Sequence, residues 1–444
     1  MNAIDAASET PVEILIERAG AAVAARARQV LGGVYGRRVI VIAGPGNNGA
    51  DGRVAGRRLA EAGMAVTIYR WDDAPAVLPP SDLVIDAAFG TGFRGEWTMP
   101  DTAGAPILAV DVPTGLDALT GNASPGTAAA RATVTFAAAK PGHVLGAGPD
   151  LVGELDLVDI GLDLNRPDDG TDPIEIVEAA DVAAWLPARS RTAHKWSHAV
   201  RVIAGSPGMD GAAWLACAAA QRAGAGIVVV SSPGHQVAAP LESVVRPLTP
   251  GNEGAEVLAD LDRFHSLVIG PGLGRVGGDE LVASIIRHAS IPILVDGDGL
   301  NALATSGLGD ILAQRRAPTV LTPHDGEYER LTGSRPSDDR IADLRRWSIQ
   351  TGAVILLKGP TTVIADPSGR VRLVDHGDQA LATAGSGDVL SGIIGALLAR
   401  SLDPADAAAA GAWIHAEAGH RHGAAGLIAS DLIDALPAAL GGLV

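Results

Sequence analysis

The sequence predicts an α/β protein with two domains, and three observations support this prediction. Short β-branched runs alternate with alanine-rich helical segments, as in mostly parallel sheets covered by helices. The alternation starts again after a polar stretch with two prolines and a glycine, residues 165–173. A chain of 444 residues has room for two domains of ordinary size. We expect domains at residues 1–165 and 177–444, joined by a linker at 166–176.

The first half contains the elements of a parallel sheet in order. Residues 14–31 have the spacing of a helix, residues 37–44 form a β-branched run that ends at glycine, and residues 53–63 predict the next helix. Further strands are expected in the segments MAVTIYRW, SDLVIDAA, APILAVDV and ATVTFAAA.

The second half repeats this alternation. Its expected strands lie in AVRVIAG, AGIVVVSS, SLVIG, IPILVDGD, APTVLTP and AVILLKG. Two helices, at about 388–400 and 404–421, are expected to close the chain. No short-period repeat is present, which argues against a solenoid.

Composition and charge exclude several classes of function. A net charge of −17 argues against a general nucleic-acid binder, which needs clustered Lys and Arg. No apolar run approaches the roughly 20 residues of a membrane span, and the N-terminus lacks a signal-peptide pattern. The single cysteine, Cys217, lies in an apolar run and is expected to be buried. We therefore expect a cytoplasmic protein without membrane or nucleic-acid partners.

A glycine-rich loop follows the first strand and precedes a helix. Residues Gly44–Gly49 match the pattern G-x-G-x-x-G, which in this context predicts a Rossmann-like dinucleotide site. An unliganded turn and an ordinary Rossmann dehydrogenase are the alternatives. Oxygen-bearing side chains follow this strand and two later strands, namely Asn47, Asn48, Asp51, Asp86 and Asp111. Such oxygens suit a hard cation, and the low charge count suits a monovalent one.

A second glycine loop, Gly385–Asp388, leads directly into a helix. The free N–H groups of a helix N-terminus form an anion site, so Asp388 is expected either to act as a base beside a phosphoryl group or to cap the helix. The segment Lys358–Thr362 is expected to be a second phosphate grip, or else a plain turn. Glu327 is expected either in a magnesium shell or at a solvated helix start. His415, His420 and His422 could bind zinc, although a partly exposed helix end is the favoured interpretation.

The first half resembles the NAD(P)H-hydrate epimerase domain in the segments GPGNNGADG, DAAFGTG, DVPTG and TVTFAAAKPG. The resemblance implies a potassium ion bound by Asn48, Asp86 and Thr114. Asp111 is the proposed proton-transfer residue, and Lys140 is either a weaker candidate or a solvated lysine. Segments 72–81 and 93–105 are shorter than usual, which leaves open a binding domain without catalysis. The implied substrate contacts are Asn47, Asn48, Gly49, Ala50, Asp51, Gly90, Thr91, Gly92, Phe93, Arg94, Gly95 and Glu96.

The second half resembles the NAD(P)H-hydrate dehydratase branch of the ribokinase-like superfamily. The matching segments include IGPGLG, VDGDGLNALA, LTPHDGEYERLTG, LLKGPTTVIA and ATAGSGDVLSG. The resemblance implies a ribokinase-like α/β/α domain in which Asp296 and Asn301 line the cleft. It implies substrate contacts at Ala212, Gly272, His324 and Asp388. It implies nucleotide contacts at Lys358, Gly359, Pro360, Thr361, Thr362 and Gly387.

The implied activity is the repair of hydrated NADH and NADPH. Phosphorylation of the ring hydroxyl makes a good leaving group, and its elimination restores the ring. We expect the consumption of ADP, with release of AMP and phosphate, in the presence of Mg²⁺; ATP is the alternative. A small-molecule kinase of the ribokinase type is the alternative function. We also expect a homo-oligomer.

Overall fold

The computed structural model describes residues 10–93, 95, 97–162, 174–274, 278–423 and 425–443. The chain divides into two compact units, Met1–Thr171 and Asp172–Val444. The predicted linker at 166–176 lies mostly outside the described residues. Its last three residues, Ile174–Ile176, form a strand, so that part of the linker prediction is wrong.

The first unit contains a six-stranded, all-parallel sheet in the order β2-β1-β3-β4-β5-β6. Its elements are α1 (Val12–Leu31), β1 (Arg38–Ala43), α2 (Asn47–Glu61), β2 (Ala65–Arg70), β3 (Leu83–Ala87), β4 (Ile107–Val110), β5 (Ala132–Phe136), α3 (Pro141–Val144), α4 (Gly148–Leu151) and β6 (Glu154–Val158).

Side chains from β1 enter two separate cores because successive residues of a strand point to opposite faces. Val39 and Val41 pack in the core that contains α1 residues such as Val23. Ile40 and Ile42 pack in the core on the other face of the sheet. The parallel sheet with a core on each face confirms the predicted α/β class.

The second unit contains a ten-stranded mixed sheet in the order β10-β9-β8-β11-β12-β13-β14-β15-β16-β7. Neighbouring strands are parallel, except that β15 is antiparallel to β14 and to β16. Its elements are β7 (Ile174–Ile176), α5 (Ala179–Trp185), β8 (Ala199–Ile203), α6 (Asp210–Arg222), β9 (Ile227–Ser231), β10 (Val244–Val245), α7 (Glu253–Ala259), β11 (Ser266–Ile269), α8 (Asp279–His288), β12 (Ile293–Val295), α9 (Asp298–Ser306), α10 (Leu308–Gln314), β13 (Thr319–Leu321), α11 (Asp325–Thr332), α12 (Arg340–Thr351), β14 (Val354–Leu357), β15 (Thr362–Ala365), β16 (Val371–Val374), α13 (Ser386–Ala399), α14 (Pro404–His422) and α15 (Ala429–Gly441).

Helix α13 is almost entirely buried and packs unusually closely on its neighbours. A methyl group added at Gly392 would lie 2.2 Å from the Ala216 carbonyl oxygen on α6. One added at Gly395 would lie 2.3 Å from Val268 on β11, and one at Gly411 of α14 would lie 2.4 Å from Ile394 on α13. The glycines therefore set how closely these elements can approach.

Three sequence-based expectations about the elements were wrong. Helix α2 begins at Asn47, six residues before the predicted start, because the extended Gly46 lets the chain turn into the helix at once. The short strands β6, β7, β10, β15 and β16 were not expected. A third closing helix, α15, follows the two that were predicted. Among the described residues, no helix combines the length and apolar character needed to cross a membrane.

Candidate active sites

A cavity of about 700 Å³ lies at the carboxyl ends of the strands in the first unit. Parallel α/β sheets commonly bind ligands at this edge. Of the residues predicted to bind substrate, those that line the cavity are Asn47, Asn48, Asp51, Gly90, Thr91, Gly92, Phe93 and Gly95, and Asp111 joins them. Gly49 and Ala50 occupy the first turn of α2 and are not in this lining. Arg94 and Glu96 lie outside the described residues.

Asp111 follows β4 and holds an ion pair with Lys140, which follows β5. The Lys140 Nζ atom lies 2.5 Å from Asp111 Oδ1 and 2.7 Å from Thr135 Oγ1. Lys140 is buried, so the alternative of a solvated lysine is wrong. Asp111 has a left-handed backbone with φ of 68°, an uncommon conformation for a residue with a side chain. The surrounding contacts hold this strained residue at the cavity.

His143 fixes the backbone around this ion pair. This histidine was not among the residues predicted from the sequence. Its Nδ1 atom accepts a hydrogen bond from the Lys140 backbone N–H, so its Nε2–H donates to the Asp111 carbonyl oxygen at 2.9 Å. Burial lowers the pKa of His143 to about 4, so the ring is neutral at physiological pH. The K-P-G-H spacing, which lets His143 cap its own short helix α3, was the available signal.

The structure brings together Asp86 and Thr114, two of the three predicted cation ligands. The Thr114 hydroxyl donates to Asp86 Oδ1 at 2.7 Å, and the Thr114 backbone N–H donates to Oδ2 at 2.8 Å. Burial raises the pKa of Asp86, and the hydrogen bonds from Thr114 offset part of this effect. In the described part of the chain, no lysine or arginine nitrogen pairs with Asp86. A buried carboxylate with neutral donors is a favourable neighbour for a cation.

The third predicted ligand, Asn48, has a buried side chain whose amide oxygen and nitrogen make no hydrogen bond with the described residues. Such buried, unpaired polar atoms are rare in folded proteins. A methyl group added at Gly90 would lie 3.4 Å from both Asn48 Oδ1 and Asp111 Oδ2, so both side chains border the same part of the cavity. The orphaned amide fits an absent ligand or ion.

Aromatic side chains form one wall beside the cavity, although aromatic residues are only 3% of the chain. Phe89 stacks on Phe93 with ring centroids 4.4 Å apart, and Trp71 meets Phe89 edge to face at 5.1 Å. Trp97 packs against both Trp71 and Phe89. Only Phe93 of this group was predicted. The wall offers an apolar aromatic surface to a ligand in the cavity.

In the second unit, the partly exposed Lys358 and the buried Asp296 form an ion pair at the carboxyl ends of β14 and β12. Lys358 Nζ lies 2.8 Å from Asp296 Oδ1, and Ser391 and Thr322 donate to the same carboxylate at 2.7 and 2.9 Å. Burial alone would raise the pKa of Asp296, but Lys358 and the hydroxyl donors hold it below the ordinary value. The pKa of Lys358 is raised, because Asp296 and Glu327 outweigh its burial. Both groups therefore carry their charges.

Asp388 lies in the first turn of α13, beside this pair. A methyl group added at the preceding residue, Gly387, would lie 3.7 Å from Lys358 Nζ and 3.8 Å from Asp296 Oδ2. Burial, followed by the nearby negative charge of Asp296, raises the pKa of Asp388 to about 7. Helix α13 is capped by Gly385 with no side-chain cap, so the alternative in which Asp388 serves as the N-cap is wrong. A partly buried carboxylate that titrates near 7 can both accept and release a proton.

His324 and Glu327 form the start of α11. His324 Nδ1 accepts hydrogen bonds from the backbone N–H groups of Gly326 and Glu327, at 3.0 and 3.3 Å. Glu327 is buried, accepts from the His324 backbone N–H and lies 3.5 Å from Lys358 Nζ. The alternative of a solvated helix start is therefore wrong for Glu327.

The remaining predicted residues are placed by the loops around this pair. A methyl group added at Gly272 would lie 2.7 Å from the Ala212 side chain, so these two predicted substrate contacts are neighbours. The Asn301 side-chain amide donates a hydrogen bond to Asp298 at 3.2 Å and accepts one from Arg330 at 2.8 Å. The nucleotide-binding prediction covers the connection from β14 to β15, which contains Gly359, Pro360 and Thr361, and the first residue of β15, Thr362.

The three histidines near the C-terminus do not form a common site. His415 is buried on α14, and its Nε2 atom lies 3.0 Å from Ser386 Oγ at the start of α13. Burial lowers the pKa of His415 to about 4. His422 instead pairs with Asp431. The expectation of a partly exposed helix end is therefore wrong for His415, and the predicted set of three is not brought together.

Both halves of the chain match models of known protein families. A family model described as NAD(P)H-hydrate dehydratase matches residues 200–438. A model described as YjeF-related protein N-terminus matches residues 12–77 and 70–142.

Curated relatives match both units together. The bifunctional NAD(P)H-hydrate repair enzyme of Moorella thermoacetica is 36% identical and aligns with 96% of this chain and 92% of its own length. The enzymes of the same name from Mycobacterium leprae and Escherichia coli are 38% and 36% identical, over 87% and 90% of this chain and 84% of each relative.

Solved structures match the second unit. The ADP/ATP-dependent NAD(P)H-hydrate dehydratase of Bacillus subtilis, co-crystallised with ATP and Mg²⁺, is 30% identical with a TM-score of 0.52, covering 61% of this chain and 99% of that one. A ribokinase-like superfamily protein of Enterococcus faecalis has a TM-score of 0.53 at 21% identity, covering 64% of this chain and 99% of that one. The predicted ribokinase-like fold is confirmed.

Proposed function

The chain belongs to the family of bifunctional NAD(P)H-hydrate repair enzymes, and from this premise we propose how its residues perform both reactions. The second unit dehydrates the S epimer of hydrated NADH or NADPH, and the first unit interconverts the R and S epimers. The charged pair Lys358–Asp296, with Asp388 beside it, supports the first assignment. The cavity bordered by Asp111 and Asn48 supports the second.

In the dehydratase, Asp388 accepts the proton of the ring hydroxyl while that oxygen attacks the terminal phosphorus of the nucleotide. The bond between this phosphorus and the bridging oxygen of the nucleotide breaks. The phosphate ester on the ring then leaves as inorganic phosphate, with loss of a ring proton, and the double bond of NADH or NADPH is restored. The sum is that hydrate and ADP give NADH or NADPH, AMP, phosphate and a proton.

Lys358 neutralises charge on the transferring phosphoryl group. Free N–H groups at the start of α13, including that of Gly387, face the same charge. Gly359, Pro360, Thr361 and Thr362 grip the nucleotide, while Ala212, Gly272 and His324 contact the hydrate. Asp296 is a positioning residue, because its ion pair holds Lys358 in place.

Magnesium fits this site because three carboxylates, Asp296, Glu327 and Asp388, surround one amine. Bound Mg²⁺ would neutralise phosphate charge and orient the nucleotide. Glu327 is the residue that would hold it, which leaves Asp388 free to act as the base. The Bacillus subtilis relative crystallised with ATP and Mg²⁺ supports this requirement. We favour ADP as the phosphoryl donor because the two activities share one chain, as is common in bacterial members.

In the epimerase, Asp111 moves the proton at the hydrated ring, and buried Lys140 orients its carboxylate. The aromatic wall accommodates the nicotinamide ring. Asn48, Asp86 and Thr114 fit a potassium ion, because the Asn48 amide lacks a partner among the described residues and Asp86 lacks a positive neighbour there. A bound potassium ion would supply positive charge near the substrate. The other residues predicted to contact the substrate, in segments 47–51 and 90–96, keep that role in this proposal.

The placement of Asp388 in the first turn of α13, beside the Lys358–Asp296 pair, is the observation that carries the proposal. The test is to supply mixed hydrate epimers with ADP and Mg²⁺ and to follow NADH absorbance and AMP release. We expect complete recovery with one AMP per NADH. A stable phosphorylated product would instead indicate a small-molecule kinase, and no recovery with either ADP or ATP would contradict the proposal.

The matched variant for this assay is Asp388→Asn, which keeps the size of the side chain. It is expected to lower the dehydration rate to less than about a hundredth, because general-base catalysis contributes about 10²–10⁴-fold. Its circular dichroism spectrum is expected to equal that of the parent. Retained activity above that level would exclude a base role for Asp388.

We further propose that the protein is a cytoplasmic homo-oligomer without nucleic-acid or membrane partners. Its small-molecule partners are the hydrated dinucleotides and the nucleotide donor. The net charge of −17 supports the absence of nucleic acid.

A further inference from the structure

A group of metal-ligating side chains lies where the segment after β16 meets α14. His376 follows β16, and Glu417 and His420 lie on α14. One ligand atom from each of these three residues lies within 4.8 Å of the other two. Asp388, Lys358 and the cavity of the first unit are not part of this group, so neither activity described above uses it.

Helix geometry places two of these ligands on one face. Trp413, Glu417 and His420 are spaced by four and three residues, which aligns them along one side of α14. The His376 ring stacks on Trp413 with centroids 4.8 Å apart and an angle of 4° between the planes. It also meets His420 edge to face at 4.5 Å. The imidazole is therefore oriented before any ion binds.

The two oxygens of Glu417 have different partners. Oε1 accepts a hydrogen bond from Arg421 Nε at 2.8 Å, and Oε2 lies 2.7 Å from His376 Nε2. The two oxygens of Asp378 also have different partners. Oδ1 accepts a hydrogen bond from the Ala380 backbone N–H at 2.8 Å, and Oδ2 lies 3.8 Å from His420 Nε2. One oxygen of each carboxylate thus serves as an anchor, and the other points toward the histidines.

We propose that His376, Glu417 and His420 bind one zinc-type transition-metal ion, with water at a fourth position. Imidazole nitrogen together with a carboxylate selects such ions over Mg²⁺. Tetrahedral zinc with bonds of about 2.0–2.1 Å sets its ligand atoms about 3.3 Å apart, so the three side chains need only small rotations. Asp378 acts as an outer partner of His420.

The ion would join the segment after β16 to α14. That segment also approaches the proposed nucleotide grip, because a methyl group added at Gly377 would lie 3.9 Å from the Pro360 carbonyl oxygen. All three ligands are partly exposed, which gives an ion access from solvent. A bound ion would therefore restrain the segment after β16 next to the proposed nucleotide-binding segment. The existence of the metal site does not depend on the proposed reactions.

The test is titration of the untagged, full-length chain with Zn²⁺ in buffer that contains Mg²⁺, using competition with a chromogenic chelator. We expect one tight site per chain and a rise in the melting temperature on zinc addition. Co²⁺ in the same site is expected to give the visible absorption bands of a four- or five-coordinate ion. Absence of a stoichiometric site would overturn the proposal.

His376→Ala and Glu417→Gln are expected to weaken zinc binding at least about 100-fold, beyond the 10–100-fold typical of outer partners. Asp378→Asn is expected to weaken it by about tenfold, as an outer partner would. His422→Ala is the matched control, since His422 lies at the end of the same helix but pairs with Asp431. Circular dichroism of each variant checks its fold. Equal loss in the control, or full binding in His376→Ala, would show that the ion binds elsewhere.

Discussion

Asp388 shows how a single carboxylate acquires catalytic character from its surroundings. Partial burial and the neighbouring charge of Asp296 favour its protonated form, while Lys358 opposes this effect only in part. The resulting pKa of about 7 is far above that of an ordinary aspartate. The same environment has a thermodynamic cost, because the folded chain must hold an unfavourable charge once Asp388 ionises.

The pH dependence of dehydration follows from this pKa. Asp388 must be unprotonated to accept the hydroxyl proton, so kcat/KM for the hydrate is expected to fall about tenfold per pH unit below about 7 and to level off above it. The measurement is kcat/KM for the hydrate from pH 5.5 to 8.5. A profile that stays flat down to pH 5.5 would contradict the assignment.

The stability of the fold gives an independent readout of the same pKa. Because the folded-state pKa lies above the unfolded value, protonation stabilises the fold, and that stabilisation is lost as the pH rises through about 7. Asp388→Asn cannot ionise. It is therefore expected to resist urea better than the parent at pH 8, with a smaller difference at pH 5.

At the residue scale, the sequence identified the candidate catalytic residues better than it identified the residues that contact them. Lys358 and Asp388 could be found because each lies in a glycine-rich segment after a strand or before a helix. The contacts of Ser391 with Asp296, and of His143 with Asp111, join residues that are 95 and 32 positions apart. Only the folded chain brings such residues together, so no local sequence pattern reveals these contacts.

Close packing at Gly392 can be tested at the scale of helices. Gly392→Ala places a methyl group against the backbone of α6 and is expected to lower the free energy of unfolding of the second unit by about 1–3 kcal/mol. Gly309→Ala on α10 is the control: an added methyl group meets no atom within 4 Å, and alanine favours a helix by up to about 1 kcal/mol. Urea unfolding of both variants is monitored by the loss of dehydratase activity, and the two stabilities are compared. Equal stabilities would contradict the packing argument.

Elements with strong periodicity were predicted well, and short ones were not. Helix α1 and the buried strands β3, β4 and β5 follow directly from apolar patterning. Strands β15 and β16 were missed: each has only four residues, and β15 runs antiparallel to both of its neighbours, which the expected parallel alternation does not include. Helix α2 was misjudged because its first turn is made of Asn and Gly, which usually indicate a loop.

At the scale of the whole molecule, the two reactions are assigned to units that have separate sheets and cores. Two half-active variants should therefore complement each other when mixed. With mixed epimers and ADP, Asp111→Asn is expected to stop after the S epimer is consumed, and Asp388→Asn to recover almost nothing. Their equimolar mixture is expected to approach complete recovery, because free epimers can reach both proteins.

Absorbance at the NADH band measures this complementation, with each variant alone as the control. Asp111→Asn keeps a polar partner for Lys140, so loss of the fold is not the expected cause of its defect. If the mixture recovers no more than Asp111→Asn alone, the assignment of one reaction to each unit is wrong. Complete recovery by Asp111→Asn alone would remove Asp111 from the epimerase mechanism.

The glycines that bring α6, α13, α14 and β11 together also limit how this lineage can diverge. A methyl group at Gly392 would meet the backbone carbonyl of Ala216, and one at Gly395 or Gly411 would force the facing side chain of Val268 or Ile394 to move. An accepted substitution at one of them would require a simultaneous change across the contact, which single mutations seldom supply. We therefore expect accepted substitutions in these elements to fall mainly at their outward-facing positions.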